Sequence, residues 1–464
     1  MIFPSISEVK KGIAGILEIR GNDVMVRDEA KLTARLIDDL IGSAVFSGDE
    51  DVRNAARWLI RRAGAALGIV SSSIQSFYDA MGAKKVTGLT VPAINIRGIT
   101  YVSAQAVFRA ALKDNVGALI FEIARSEIDY TKQRPAEYTA AVTAAAIKTG
   151  FRGPLFLQGD HFQVSAKKYA GDPAKELNAV KSLISEAIEG GFYNIDIDAS
   201  TLVDLSKATL GEQQEANSRI TAELTALIRS VEPRGITISV GGEIGEVGTK
   251  NTTIEEFETF MEQYRRMLAE KGRALKGISK ISIQTGTTHG GVPLPDGSIA
   301  RVKIDFGTLE AISEAAKSRF GLSGAVQHGA STLPDEAFDS FPRTGTAEIH
   351  LATGFQNIIY DSTSFPRDMK QKIYDYLRTE CAGEKKEKDT DEQFIYKTRK
   401  KGFGPFKRDL WSFSPNITQA IGMELERQFS FLFDKLNVKN SKALVNKYVK
   451  PVDVPLEAPA ALRT

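Results

Sequence analysis

The chain has 464 residues, of which 42% are hydrophobic and 25% are charged, as in ordinary globular proteins and unlike disordered ones. The 60 basic and 58 acidic residues leave a net charge of +2, so the charge balance does not favour nucleic acid as a partner. No apolar run approaches the roughly 20 residues that cross a bilayer, so we expect no membrane association. A single cysteine, Cys381, excludes an internal disulfide framework and is typical of a reducing compartment, so we expect a cytoplasmic protein.

Residues 1–86 predict a helical N-terminal extension. Charge-rich and alanine-rich stretches recur at residues 29–40 and 52–67. The apolar residues of the first stretch have helical spacing and predict one buried face, made of Leu32, Leu36, Ile37 and Leu40. Nothing in this segment indicates chemistry.

Residues 87–361 predict a (β/α)₈ barrel domain. Short β-prone runs alternate there with amphipathic segments of helical period, the pattern of repeated βα units. The eight runs lie at residues 91–97, 118–123, 154–158, 193–198, 236–240, 280–284, 324–327 and 347–351. An open doubly wound sheet is the alternative, but no GxGxxG fingerprint follows the first run.

Residues 362–464 predict a helical C-terminal extension, with helices near 366–378 and 423–436. The charge run at 384–392 is typical of a solvated segment. The basic and aromatic stretch at 394–411 could contact a phosphate or nucleic acid, but packing on the barrel or a neighbouring subunit is the favoured interpretation. The residues after Pro451 are expected to be loosely held.

The 4 histidines, His161, His289, His328 and His350, each end or directly follow a predicted strand. In a barrel the carboxyl ends of all strands meet on one face, which is where active sites lie. The histidines should therefore converge, although they are far apart in the chain. Clustered neutral imidazoles suit Zn²⁺ or another divalent transition metal, and three of them with an open position describe a catalytic site.

Carboxylates and glycines collect at the same strand ends. Asp160, Asp198 and Glu243 could ligate the metal, orient a ligand or transfer protons. Glycines beside the histidines, with Ser331, suit a phosphate because they let backbone N–H groups approach it closely.

At these positions the sequence resembles the class II, metal-dependent ketose-bisphosphate aldolases, which include the fructose- and tagatose-bisphosphate aldolases. The resemblance covers roughly residues 90 to 361, and AVQHGASTLPDE at 325–336 is its strongest part. The motifs that carry it, in chain order, are GDH (159–161), IDAS (197–200), EIG (243–245), GTTHGG (286–291), HGAS (328–331) and IHLAT (349–353).

The resemblance implies a role for each matching residue. Asp160 would be the catalytic acid and base. The metal would be bound by His161, His289 and His328, with Glu243 and Asp198 beside it. The expected substrate and phosphate contacts are Asn95, Gly290, Gly329, Ser331, His350 and Thr353.

Four positions depart from the family's pattern. His350 stands where the family usually has asparagine, Ala352 where many fructose-specific members have aspartate, and Ala124 where a serine often binds phosphate. The loop after Glu243 lacks the acidic pair that supplies a catalytic glutamate. These changes leave the metal ligands and the base intact but affect substrate choice.

The resemblance therefore implies a zinc-dependent aldolase that cleaves a ketose bisphosphate, most readily fructose 1,6-bisphosphate, to dihydroxyacetone phosphate and glyceraldehyde 3-phosphate. The alternatives are a tagatose-bisphosphate aldolase, its non-catalytic accessory subunit, or another metal enzyme such as a hydrolase. The substrate's second phosphate would meet a basic residue of the C-terminal region or of another subunit, and a homo-oligomer is expected. No Schiff-base lysine is needed, and Lys280 is interpreted as an ordinary solvated lysine.

Overall fold

The computed structural model describes residues 2–245, 250–286 and 304–463. Within these ranges the chain forms eleven strands. In chain order they are β1 (Leu17–Arg20), β2 (Asp23–Val26), β3 (Ile69–Ser72), β4 (Val91–Asn95), β5 (Ile120–Ala124), β6 (Gly153–Gln163), β7 (Asn194–Asp198), β8 (Ser239–Glu243), β9 (Lys280–Ile283), β10 (Ala325–Gln327) and β11 (Glu348–Leu351).

Strands β4 to β11 form a closed parallel barrel. Each pairs with the next, β11 pairs with β4, and β6 pairs with β7, so no strand of the ring has an open edge. The register aligns Asn95 with Glu122 and Ala124 with Asp160 across neighbouring strands. The predicted eight-stranded barrel is confirmed, and all of its carboxyl ends lie on one face.

Helices connect the barrel strands, and local sequence fixes their ends. Thr209 and Glu212 form a reciprocal capping box at the start of the longest one, and Gly150 ends another in a left-handed conformation that glycine adopts without strain. The helices of this part are Thr100–Lys113, Arg125–Thr131, Pro135–Thr149, Ala166–Gly171, Pro173–Gly190, Leu210–Val231, Ile254–Lys271, Phe306–Phe320, Ser340–Arg343 and Thr353–Asp361, with 3₁₀ turns at Ser200–Leu202, Ala330–Thr332 and Asp335–Ala337.

The N-terminal extension is mostly helical, as predicted, but it also contains strands. β1 and β2 form an antiparallel hairpin, and β3 adds a parallel strand beside the first residues of β6. The predicted apolar face of Leu32, Leu36, Ile37 and Leu40 is fully buried. The helices here are Ile6–Ile13, Glu29–Lys31, Ile37–Phe46, Glu50–Ala66 and Gln75–Gly82, with a π-helical turn at Leu32–Leu36.

The C-terminal extension packs against the barrel. Its longest helix is tied to the helix after β4 by an Arg109–Glu426 ion pair of 2.7 Å, and Phe429 packs on Phe355. Phe403 lies so close to Gly98 that a Cβ there would clash with the ring. The helices are Arg367–Glu380, Asp391–Thr398, Lys407–Trp411, Pro415–Lys435, Lys442–Tyr448 and Ala460–Arg463, with 3₁₀ turns at Ala382–Glu384 and Arg399–Gly402.

The last residues are not loose, contrary to the prediction. The Trp58 indole N–H donates to the Leu456 carbonyl at 3.1 Å, and Arg62 pairs with Asp453 at 2.8 Å. The chain end is therefore held against the N-terminal helices. The predicted domain boundaries at residues 86 and 361 stay predictions. Within the described ranges, no helix has the length and apolar character to cross a bilayer.

Candidate active site at the carboxyl ends of the barrel strands

A bulge in β6 brings two neighbouring side chains into one cluster. The pairing of β6 with β7 slips between Gly159 and Phe162, and His161 has a left-handed φ of 39°. In a regular strand, consecutive side chains point to opposite faces, whereas a bulge redirects one of them. Asp160 and His161 consequently lie together with His328 from the end of β10, their ligand atoms within 4.8 Å of one another.

The two histidine rings face each other through one nitrogen each. His161 Nε2 lies 3.0 Å from His328 Nδ1. The other nitrogen of each ring also has a polar neighbour. His161 Nδ1 lies 3.2 Å from Asp198 Oδ2 and 2.9 Å from Glu243 Oε2. His328 Nε2 lies 2.9 Å from Ser282 Oγ. A metal-binding imidazole usually has its second nitrogen held by a carboxylate or another polar group. This arrangement therefore fits a divalent cation between the two facing nitrogens.

The electrostatics of this cluster also favour a cation. Despite its burial, hydrogen bonding to His161 keeps the pKa of Asp198 below its usual range, so this carboxylate stays ionised. Burial, and then the charge of Asp198, raise the pKa of Glu243 to about 7. Burial opposes a charged His161, but Asp160 and Glu243 raise its pKa well above the ordinary value. Three carboxylates around two imidazoles therefore stabilise positive charge at this point.

A second polar cluster lies inside the barrel, next to the first. Lys280 Nζ is hydrogen-bonded to Gln158 Oε1 at 2.8 Å and to Asp196 Oδ2 at 2.9 Å, and it also pairs with Glu348. Its side chain is only 1% exposed, so the interpretation of Lys280 as a solvated lysine is wrong. The sequence does not reveal this directly, because the partners come from three other strands.

His350 joins the two clusters. Its Nδ1 lies 2.9 Å from Glu122 Oε2 and 3.2 Å from Asp160 Oδ1, and its Nε2 lies 2.6 Å from Glu348 Oε1. Burial opposes the charged ring, but Glu122 and Asp160 raise the pKa of His350 well above its ordinary value. Burial, and then the charge of Asp160, raise the pKa of Glu122 to about 8. The pKa of Glu348 is instead lowered to about 2, because the attraction of Lys280 and His350 outweighs the effect of burial. The buried carboxylates are therefore compensated jointly by Lys280 and His350 and not in separate pairs.

A cavity of about 390 Å³ opens above Asp160 and the histidines. At one wall Gly329 adopts a left-handed φ of 69°, which a glycine accepts without strain, and begins the turn that presents Ser331. The Ser331 hydroxyl accepts a hydrogen bond from the Ala352 N–H at 2.7 Å, which links the ends of β10 and β11. The lining residues are Arg97, Glu122, Ala124, Arg125, Ser126, Glu127, Asp129, Asp160, His161, Gln163, Ser165, Lys168, His328, Gly329, Ser331, His350, Ala352, Thr353 and Lys400.

Most of the predicted site residues meet at this cavity. Those that line it are Asp160, His161, His328, Gly329, Ser331, His350 and Thr353. Asp198 and Glu243 contact the side of His161 away from His328. Asn95 is not among the lining residues, and its amide donates to Glu127 Oε2 at 2.6 Å. His289 and Gly290 lie outside the described residues.

The sequence does not reveal the interior charges directly, and for the C-terminal region it predicts a basic residue at the second phosphate without identifying which one. Polar residues at alternate positions of a barrel strand point inward, and this signal is present in Glu348 and His350 and in Asp196 and Asp198. Lys400 reaches the cavity from the 3₁₀ turn Arg399–Gly402. Only the basic character of its stretch could have indicated it.

Comparisons with known proteins bear on the family and the fold. The family model described as fructose-bisphosphate aldolase class-II matches residues 76–402, a range that contains all eight barrel strands. A search of curated protein sequences found no significant match.

Solved structures resemble the fold at low identity. A probable tagatose 6 phosphate kinase from Sinorhizobium meliloti 1021 is 17% identical over 80% of this chain and 96% of its own, with a TM-score of 0.52. The fructose-bisphosphate aldolase of Campylobacter jejuni is 17% identical over 80% of this chain and 97% of its own, with a TM-score of 0.48. The YdjI aldolase of Escherichia coli K12 is 15% identical over 74% of this chain and 98% of its own, with a TM-score of 0.41.

The family match covers more than half of the chain, and the barrel contains a cluster of histidines and carboxylates that could hold a metal ion. The chain therefore belongs to the class II fructose-bisphosphate aldolase family of lyases.

Proposed function

We propose that the protein is a zinc-dependent aldolase that reversibly cleaves a ketose bisphosphate, most readily fructose 1,6-bisphosphate, to dihydroxyacetone phosphate and glyceraldehyde 3-phosphate. The observation that carries the proposal is the facing pair of His161 and His328, each with its other nitrogen held, next to Asp160 at the cavity. The tagatose bisphosphate alternative stays open because Ala352 replaces an aspartate of many fructose-specific members.

His161 Nε2 and His328 Nδ1 are proposed to hold the metal, with His289 as the third ligand. Glu243 and Asp198 complete the set as carboxylates beside it, and the contact of Asp198 with His161 Nδ1 also suits orientation of the ring. When bound, the metal supplies Lewis-acid polarisation of the ketose carbonyl. Zn²⁺ is favoured because it readily accepts imidazole and carboxylate ligands.

Asp160 is proposed as the group that carries the proton. In retro-aldol cleavage a hydroxyl loses its proton, the neighbouring carbon–carbon bond breaks, and the ketone half gains a proton at carbon. A carboxylate can serve this exchange only within hydrogen-bond reach of the substrate. Asp160 is 5% exposed and lines the cavity beside His161, so a substrate bound there would lie within its reach.

Gly329, Ser331 and Thr353 are proposed to bind the phosphate next to the carbonyl. Gly329 and Ser331 stand in the turn after β10, and Thr353 begins the helix after β11, whose N-terminus favours an anion. Asn95 donates to Glu127, which lines the cavity and pairs with Arg97 at 2.7 Å. His350 forms the floor of the cavity.

The second phosphate is proposed to meet Lys400. This lysine is half-buried at the cavity, above the Tyr130 ring, and has no ion-pair partner among the described residues. Burial, and then the charge of Arg97, lower its pKa. An anion bound there would offset the cost of burying the charged lysine and its repulsion by Arg97. A cytoplasmic location, expected from the single cysteine, and a homo-oligomeric state complete the proposal.

Metal analysis of the purified protein combined with a cleavage assay tests the proposal. The assay compares fructose 1,6-bisphosphate, tagatose 1,6-bisphosphate and their monophosphates, with Asp160→Ala as the inactive control. Cleavage of a bisphosphate by a protein with bound zinc supports the proposal. A fully metal-loaded protein that cleaves neither bisphosphate would instead favour the non-catalytic accessory subunit.

A further inference from the structure

His350 contacts both polar clusters inside the barrel, at a position where the family usually has an asparagine. The residue is 5% exposed, and its ring packs on that of His328 with centroids 4.0 Å apart. Both nitrogens face carboxylates at close range: Glu122 and Asp160 at Nδ1, Glu348 and Asp196 at Nε2. Both ring nitrogens therefore lie next to carboxylates of the barrel interior.

Two imidazoles lie near Asp160 Oδ1, and that of His350 is the nearer of the two. His350 Nδ1 lies 3.2 Å from Asp160 Oδ1, whereas His161 Nε2 lies 3.7 Å from the same oxygen. Asp160 precedes the bulged residue His161, so the ladder between β6 and β7 is interrupted next to it. A side chain at such a position depends on its neighbours for a fixed direction.

The ring lies between Glu122 of β5 and Glu348 of its own strand, β11. Glu122 of β5 lies against Nδ1, and its Oε2 accepts a hydrogen bond from Gln158 Nε2 at 3.1 Å. Glu348 lies against Nε2 and is bound in turn by Lys280 and Tyr78. The ring therefore cannot turn without breaking contacts that involve three other strands and a helix.

We propose that His350 is a positioning residue whose Nδ1 holds the Asp160 carboxylate in the orientation that proton transfer requires. The inference rests on the proposed function, because it assumes that Asp160 carries the proton. It assigns His350 an action through Asp160 rather than a direct contact with the substrate. It also explains how an asparagine position can accept a histidine: an asparagine amide nitrogen lies at about the same distance along the side chain as histidine Nδ1.

Three variants separate this role from packing. His350→Asn keeps an N–H donor near the position of Nδ1, His350→Gln moves the donor towards the position of Nε2, and His350→Leu removes it. Glutamine is closer to histidine in volume than asparagine is, so a purely structural role would favour His350→Gln. The measurements are kcat and KM for the cleaved bisphosphate, bound zinc, the thermal midpoint, and solvent hydrogen exchange into dihydroxyacetone phosphate.

We expect His350→Asn to keep kcat within about threefold, and His350→Gln and His350→Leu to lose about tenfold to a hundredfold in kcat and in hydrogen exchange, as a misdirected catalytic group does. Bound zinc and KM should stay near the wild-type values in all three. Activity that survives in His350→Gln but not in His350→Asn would overturn the inference, as would unchanged kcat in His350→Leu. Loss of zinc in step with kcat would also overturn it.

The wild-type protein separates this inference from the proposed function. A wild type that cleaves a bisphosphate while all three variants match it refutes the positioning role alone. A zinc-loaded wild type without cleavage or hydrogen exchange refutes the proposed function, and the positioning role with it.

Discussion

His161 Nε2 lies 3.0 Å from His328 Nδ1, although the two residues are 167 positions apart in the chain. The barrel makes this contact possible because β6 and β10 end on the same face. The other nitrogen of each ring contacts a polar side chain, Asp198 for His161 and Ser282 for His328. These contacts fix the directions of the two facing nitrogens. Two imidazole nitrogens directed at one another in this way are suited to share a cation.

Removal of the metal should abolish activity. We expect a strong chelator to stop cleavage of the bisphosphate, and added Zn²⁺ or Co²⁺ to restore it, because the carbonyl would lose its Lewis acid. Borohydride with substrate should leave no covalent adduct, because metal-dependent cleavage needs no Schiff-base lysine and the buried Lys280 is engaged with Asp196 and Glu348. Activity that survives chelation, or a lysine adduct found by mass spectrometry, would contradict this prediction.

Asp160 and His161 should differ in what their loss removes. We expect His161→Ala to lose bound metal and activity together. Asp160→Ala should keep most of the metal but lose roughly two to four orders of magnitude in kcat, the usual contribution of general acid–base catalysis. Metal content and turnover measured on both variants decide the matter, and near-normal turnover in Asp160→Ala would mean that another group carries the proton.

The sequence predicts the barrel well because each strand has a local signature. All eight predicted runs overlap observed strands, and the histidines at their ends predict the site once the barrel is assumed. The N-terminal hairpin was missed, although Gly21 and Asn22 separate two alternating runs in the manner of a tight turn. That signal was available but was outweighed by the helical stretches around it.

Two features of the site are not local and could not be read from the sequence. The left-handed φ of His161 arises where β6 has an extra residue against β7, and nothing in the GDH motif requires it. Lys400 reaches the cavity because the C-terminal extension folds over the helix Arg125–Thr131, with Gly404 against the Tyr130 carbonyl. Both depend on how distant segments pack.

Loss of the buried lysine should destabilise the fold strongly. In Lys280→Met, Asp196 and Glu348 keep their burial but lose their cation, and a broken buried pair costs about 3–5 kcal/mol. Lys276→Met is the matched control, because Lys276 pairs with Asp79 where both side chains are nearly half exposed and such a pair contributes less than about 1 kcal/mol. Urea unfolding of the two variants measures the difference. Equal losses would show that protons already neutralise the buried carboxylates.

Glu122 should make the stability fall as the pH rises. Burial, and then Asp160, raise its pKa from 4.5 to about 8 in the folded protein. The folded state therefore holds this proton more tightly than the unfolded state does. The resulting stability is complete below about pH 4.5 and is lost as the pH rises towards 8.

Glu122→Gln, which does not titrate, isolates this effect. We expect the free energy of unfolding of Glu122→Gln, relative to wild type, to increase steadily between about pH 5 and pH 8. Denaturation midpoints measured at several pH values in the same buffer system provide the test. Parallel curves for the two proteins would show that Glu122 is ionised in the fold throughout this range.

Lys400 should determine the affinity for the second phosphate. Lys400→Ala is expected to raise KM for the bisphosphate by a factor that corresponds to one lost charged hydrogen bond, about 1.5–3 kcal/mol, with little change in metal content. KM for the monophosphate that lacks the distant phosphate should hardly change, because its contacts with Gly329, Ser331 and Thr353 remain. Lys401→Ala is the adjacent control, since Lys401 pairs with Glu384 instead of lining the cavity. If Lys400→Ala raises KM equally for the bisphosphate and the monophosphate, the lysine supports the whole cavity wall. If Lys400→Ala and Lys401→Ala have equal effects, the general positive charge of the segment is responsible.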